Sequence, residues 1–252
     1  MTLALEGRIG LVTGASRGLG AAVAVRLAAA GAHVVLLARS VGGLEATDDA
    51  IRAGGGAATL IPLDLAEFDK IDQLGAALHQ RFGRLDILVG AAGVLGALSP
   101  TGHFDPKAWQ EAIDVNATAN WRLVRALDPL LRLSPAGRAV FVTCAAAREL
   151  PPYWGAYAAS KAALEAMVRT YAAEIAQTTV RANLIDPGPL RTRLRAGAFP
   201  REDPAGLRPP EAAAEAFVAL AAAACDANGT LVTLPPAGEA AAVAPRDRGS
   251  AT

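Results

Sequence analysis

Short, unbroken apolar runs recur along this chain with helix-length segments between them, and that alternation constrains the fold more than any other feature. Residues 8–13, 33–38, 57–62, 86–90, 138–144, 180–186 and 230–234 read as strands. They are continuous in Val, Leu, Ile and Ala, as expected where neither face of a strand meets water. Segments 18–30, 43–53, 67–82, 106–133, 155–177 and 210–224 read as helices. Strict strand/helix alternation predicts an α/β domain with one doubly wound parallel sheet of about seven strands and helices on both faces. A chain of 252 residues has room for one such domain, assigned here to residues 1–238. Residues 239–252, small and polar, read as a flexible C-terminal tail. Residues 191–210 are rich in Pro, Gly and Arg and long for a connection, which makes them a candidate lid.

Composition removes several classes of function. Lys plus Arg and Asp plus Glu both number 24, and no basic block occurs, which argues against a nucleic-acid or anionic-membrane partner. Hydrophobic residues at 52% supply a large core. Two cysteines exclude a disulfide scaffold and a four-thiolate zinc site. Cys225, in an alanine run, reads as a small buried hydrophobe. His33, His79 and His103 are isolated, so no metal site is expected. Residues 2–8 lack an apolar leader, and the longest uncharged apolar stretch, 216–225, is short of a membrane span. The expectation is a soluble cytoplasmic protein.

Thr13-Gly14-Ala15-Ser16-Arg17-Gly18-Leu19-Gly20 joins the first strand to the first helix. Glycines permit positive φ and let a pyrophosphate approach the backbone, while the helix N-terminus offers free N–H groups. A coenzyme ribose with a free 2′-hydroxyl is usually held by a carboxylate after the second strand. Here that place has Arg39, and Arg17 lies in the glycine turn itself. Two guanidinium groups favour a 2′-phosphate, hence NADP(H) over NAD(H). Tyr157 and Lys161 stand four residues apart, on one face of a helix. A phenol is a poor acid or base near neutrality unless a nearby cation stabilises its anion.

With these marks in order, the sequence resembles the short-chain dehydrogenase/reductase family over residues 5–235. The marks are the Gly14/Gly18/Gly20 turn, Asp64-Leu65, Gly90-Ala91-Ala92-Gly93, Asn116, Tyr157-x-x-x-Lys161 and Pro187-Gly188-Pro189-Leu190-Arg191-Thr192. Residues 141–171 are most similar to a bacterial subgroup of uncharacterised oxidoreductases. The resemblance implies a Rossmann-like fold and a hydride transfer between NADP(H) and a carbonyl or secondary alcohol. It gives Tyr157 the proton transfer, and Lys161 the nicotinamide ribose and a lowering of the Tyr157 pKa. Asn116 would hold a water linking Lys161 to solvent. Asp64 and Leu65 would meet the adenine, Ala91, Ala92 and Gly93 the adenosine ribose, and Pro187, Gly188, Leu190 and Thr192 the nicotinamide end. Helices 106–133 and 155–177 would pair between subunits of a homodimer or homotetramer.

The chain departs from the family pattern at two places. Cys144, 13 residues before Tyr157, stands where the family has a serine that hydrogen-bonds the substrate oxygen. A thiol is a weak donor. Losing one such donor costs on the order of 3 kcal/mol, or roughly a hundredfold in rate. Three outcomes stay open: the thiol serves weakly, a neighbouring hydroxyl substitutes, or catalysis is impaired. Thr143 should point to the other face, and Tyr153 is a candidate to reach inward. A reactive-thiol role for Cys144 would need a depressed pKa, with Lys161 as the cation. The impaired case defines the alternative function, a nucleotide-binding sensor or scaffold. The second departure is Gly90-Ala91 where the family commonly has two asparagines, which predicts a less rigid turn. Substrate would meet residues 93–104, 145–154 and 191–210. Leu95, Leu98, Tyr153, Trp154 and Phe199 suggest an apolar pocket there, while Arg191, Arg193 and Arg195 either attract an acidic substrate or are solvated.

Overall fold

The computed structural model describes residues 3–235; the expected tail at 239–252 lies outside them. Seven strands form one sheet: β1 Ile9–Thr13, β2 His33–Ala38, β3 Ala58–Pro62, β4 Ile87–Gly90, β5 Arg138–Val142, β6 Arg181–Asp186 and β7 Leu231–Thr233. Their order is β3-β2-β1-β4-β5-β6-β7 and every pair is parallel. The helices are α1 Gly18–Ala29, α2 Val41–Ala53, α3 Phe68–Phe82, α4 Pro106–Ile113, α5 Ala119–Arg132, α6 Ala146–Glu149, α7 Gly155–Glu174, α8 Arg193–Ala198 and α9 Pro210–Ala221.

Side-chain alternation along the strands explains the unbroken apolar runs. Val12, Val34, Leu36 and Val89 face one layer, where Leu27 of α1 and Phe217 of α9 complete a core. Leu11, Val35, Leu37 and Leu88 face the other, against Leu74 of α3, Leu123 of α5 and Leu164 of α7. The edge strands β3 and β7 are only half-buried, unlike the central ones. The winding direction reverses between β1 and β4, which opens a crevice at the carboxyl ends of the central strands.

Four expectations are corrected. The helix expected at 106–133 is α4 and α5 joined by a π-helical turn, Asp114–Thr118. Asn116 in that turn bonds the backbone of Val94 on one side and Ser160 on the other, which holds the widened turn inward. The strand expected at 138–144 ends at Val142, so Cys144 lies in the turn beyond it. Cys225 is half-buried at the core margin rather than buried. Residues 191–210 are not an open loop. They contain α8 and a 3-10 turn, Pro204–Gly206, and Leu190 bridges Arg208 at their base.

Candidate active site

The carboxyl ends of β1 and β4 carry the glycine turn and the segment that follows Gly90. Thr13 is fully buried, and its hydroxyl accepts the N–H groups of Ala91 and Ala92, both at 3.1 Å. That bond locks the two turns together, so the Gly90-Ala91 turn has a brace that the sequence did not reveal. Glycine is required where the turns touch. A Cβ at Gly14, which has φ +69°, would come within 2.9 Å of Ala92 Cα, and one at Gly20 within 2.3 Å of the Gly14 carbonyl oxygen. Gly18 faces the Thr192 methyl. Ser16 packs against Gly43 at the start of α2, and Leu19 packs against the core. No side chain caps α1, and its first turn has no acidic residue.

Arg17 and Arg39 are exposed. Arg39 lies 3.7 Å from Asp64, whose other oxygen accepts the Ala66 N–H at 3.0 Å. Leu65 is buried behind Asp64. On the far side of the crevice, Pro187 and Gly188 follow β6, and Asp186 accepts the Gly188 N–H at 3.1 Å. Leu190 is buried. Thr192 caps α8, accepting the Arg195 N–H at 3.3 Å.

The first turns of α7 bring Tyr157 and Lys161 to the end of β5, and both are buried. The Tyr157 phenol and the Cys144 thiol neighbour each other, near enough to shift each other's proton affinity. Lys161 Nζ donates to the Val142 carbonyl at 2.9 Å and sits 5.9 Å from the centre of the Tyr157 ring. Asn116 Oδ1 accepts the Val94 N–H at 2.9 Å, and Nδ2 donates to the Val94 carbonyl and to Ser160 Oγ, both at 2.9 Å. Ser160 in turn donates to the Tyr157 carbonyl at 2.8 Å. Both N–H groups of Asn116 are therefore taken by protein partners, and the side chain acts as a tie between Val94 and α7 rather than primarily as a water ligand.

Burial sets the proton affinities of this cluster. It pushes the Tyr157 phenol well above its ordinary range, with Cys144 and then Asp186 adding to the rise. The Lys161 ammonium is directed to the Val142 carbonyl. Burial brings Lys161 down to about 8 against the opposing pull of Cys144 and Glu165. It also raises the Cys144 thiol, and Lys161 does not reverse that rise. Cys144 is therefore not a low-pKa reactive thiol. Thr143 points away, as expected, and donates to Glu165 at 2.7 Å. Tyr153 is 60% exposed, with φ +72°, and does not reach inward.

A buried charge network beneath the cluster escaped the sequence reading. Arg148 of α6 pairs with both Glu165 and Asp186. Glu165 lies four residues beyond Lys161, the one-face spacing that could have revealed it. Arg148 carried no such signal, because it falls in what reads as a loop. Among the described residues no cluster of three or more His, Cys, Asp or Glu is placed to hold a metal ion, and no helix is long and apolar enough to cross a membrane.

The sheet order, the crevice at the β1/β4 reversal and the glycine turn beneath it define a Rossmann-like α/β fold with a buried Tyr–Lys pair at its mouth. The family pattern described as short chain dehydrogenase matches residues 8–203. The uncharacterised oxidoreductase YciK of Escherichia coli is 39% identical over 209 residues, covering 82% of each chain. A short chain dehydrogenase of Escherichia coli solved with NADPH superimposes with a TM-score of 0.88 at 37% identity, over 92% of this chain and 98% of that one. A short chain dehydrogenase of Shigella flexneri solved with NADP gives 0.88 at 36% identity, over 92% and 99%. This chain belongs to the short chain dehydrogenase family of oxidoreductases.

Proposed function

We propose that the protein is an NADP(H)-dependent oxidoreductase that interconverts a carbonyl compound and the corresponding alcohol, with Tyr157 as general acid/base. The observation that carries this reading is the cluster of buried Tyr157, Lys161 and Asn116, with half-buried Cys144 beside them, at the mouth of the crevice. The residues present fit a dinucleotide. The uncapped N-terminus of α1 leaves its N–H groups and dipole for a pyrophosphate at Gly14, Ser16, Gly18, Leu19 and Gly20. A Cβ at Gly93 would stand 3.2 Å from Asn116 Oδ1 and 3.6 Å from Lys161 Nζ, so glycine keeps the cleft open there. Asp64 and Leu65 would hold the adenine, Ala91 to Gly93 the adenosine ribose, and Pro187, Gly188, Leu190 and Thr192 the nicotinamide end. Arg39 meets Asp64 only at 3.7 Å with both side chains exposed, a weak pair that a 2′-phosphate can displace, and Arg17 is exposed in the glycine turn. The relatives solved with NADPH and NADP support the same preference.

When bound, the coenzyme supplies or accepts the hydride. The protein handles the proton. In reduction the carbonyl π bond opens, the carbon gains the hydride, and the oxygen takes the Tyr157 proton, which solvent then restores. In oxidation the proton leaves the alcohol oxygen for Tyr157. Burial keeps the Tyr157 phenol protonated, and the Lys161 cation would offset part of the cost of forming the phenolate there. Cys144, neutral and beside Tyr157, donates weakly to the substrate oxygen. The same reading makes the protein a cytoplasmic homodimer or homotetramer acting on a small molecule, with no nucleic-acid or membrane partner. The exposed alanine face of α7, at Ala163, Ala166 and Ala173, supports close helix pairing between subunits.

The test is a fluorescence titration with NADPH and NADH, followed by a carbonyl panel on the wild type and Cys144→Ser. Tighter NADPH binding with turnover in the wild type is expected. Turnover only in Cys144→Ser would move the account to the second reading, a nucleotide-binding sensor or scaffold, which the thiol at 144 favours. Absence of coenzyme binding would contradict both.

A further inference from the structure

The chain has three tryptophans, three tyrosines and six phenylalanines, and several of them gather around the first turn of α7. The Trp154 ring meets Tyr157 edge-on, 5.8 Å between centres, and tilts against Phe199 of the α8 segment at 5.6 Å. Phe104 packs behind Gly155. From the Tyr157 hydroxyl outward the site therefore has a continuous wall of ring surface. Such surface favours flat apolar groups, which stack offset or edge-to-face.

The cations nearest this wall are already committed. The Arg195 guanidinium lies 3.7 Å from the centre of the Phe199 ring, and its Nε and one terminal nitrogen each donate to Glu202 at 2.6 Å. A guanidinium that is stacked and held at two points has little left to offer a second carboxylate. Deeper in, Arg148 is shared by Glu165 and Asp186, and Lys161 donates to Val142. The Arg148 charge is thus neutralised by two carboxylates, and the Lys161 ammonium is spent on a carbonyl. Arg191 and Arg193 are exposed.

We propose that the substrate is an uncharged carbonyl compound, or its alcohol, with a flat apolar body, and that Trp154 and Phe199 are its specificity-determining residues. This rests on the reading of the site as an oxidoreductase centre. Phe199 is held in place by Arg195, and Arg195 by Glu202, so the pair sets the outer edge of the wall while withdrawing one positive charge from the entrance.

The experiment uses the NADPH-loaded protein with phenyl methyl ketone, its para-carboxylate analogue and acetone. Binding is read by saturation-transfer NMR and turnover by NADPH consumption. The phenyl ketone is expected to bind at least about tenfold more tightly than the carboxylate, and Phe199→Ala to weaken it about tenfold. Phe199 is 38% exposed, so this variant folds. Phe199→Ala should leave NADPH affinity unchanged, and Phe199→Tyr should restore phenyl ketone binding. Glu202→Gln frees Arg195 and should narrow the preference. Equal or tighter binding of the carboxylate, loss of nothing in Phe199→Ala, or no binding of the phenyl ketone would overturn the proposal. Selective binding of the phenyl ketone with no turnover of any ketone would uphold the wall and reject the oxidoreductase reading instead.

Discussion

The family resemblance puts Cys144 where a serine is expected to address the substrate oxygen, and its surroundings decide what a thiol can do there. Burial keeps it protonated despite Lys161, so it is a neutral weak donor rather than a nucleophile. Restoring the stronger donor should raise kcat. Cys144→Ser is expected to accelerate carbonyl reduction by about ten- to a hundredfold with NADPH affinity unchanged, read from steady-state kinetics and a coenzyme titration. Lys161 sets the pH dependence. With its pKa at about 8, it carries its charge below that pH and loses it above. The Tyr157 phenol stays protonated throughout this range. In reduction, kcat/KM should therefore be level below about pH 8 and fall above it, because kcat/KM follows the free enzyme. A profile that rises across that range would contradict the charge assignment. The Tyr157–Lys161 pair was legible from spacing, and Cys144 only through the resemblance to the family. The reversal of their proton affinities by burial was not, because a sequence carries no measure of desolvation.

At the scale of elements, the turn after β4 is where this chain departs from its family and compensates. A Cβ at Gly90 would lie 2.5 Å from the Phe141 ring and 2.6 Å from Asn120 Oδ1, so the space an asparagine would fill is taken. The brace comes instead from Thr13. Gly90→Asn, the family-like change, should destabilise the fold by about 1–3 kcal/mol, measured by urea unfolding. Thr13→Val should cost a similar amount, about 1–3 kcal/mol, because it strands two amides, and should weaken NADPH binding as well. A stabilised Gly90→Asn would mean that Phe141 moves aside freely. The seven strands were legible because two-sided burial writes itself as unbroken apolar runs. The π turn, α6 and α8 were not. Each depends on contacts made far along the chain, such as Asn116 to Ser160, Arg148 to Asp186, and Phe199 to Trp154.

The whole molecule separates its chemistry from its fastening. The site lies at the carboxyl ends of the strands. At their amino ends, the buried Arg8 donates to the carbonyls of Ala221, Asp86 and Ala136, while Arg138 reaches Thr179 and Ala223. Asp86, 1% exposed, accepts from Ile9 N–H, Arg84 and Ser134 and supplies the carboxylate beside Arg8. Asp86→Ala should cost about 3–5 kcal/mol, since it leaves the buried Arg8 without its counter-charge and the Ile9 amide without a partner. That loss corresponds to a fall in Tm of roughly 6–20 °C, seen by calorimetry. Its coenzyme affinity at low temperature should match the wild type, because the two ends are joined only through the sheet. The central claim concerns the other end. The most direct measurement is NADPH-driven reduction of a carbonyl compound by the wild type and by Tyr157→Phe, with NADPH affinity measured in parallel. Turnover in the wild type and a loss of about 10²–10⁴-fold in the variant, at unchanged coenzyme affinity, are expected. Equal turnover in the two proteins would contradict that claim.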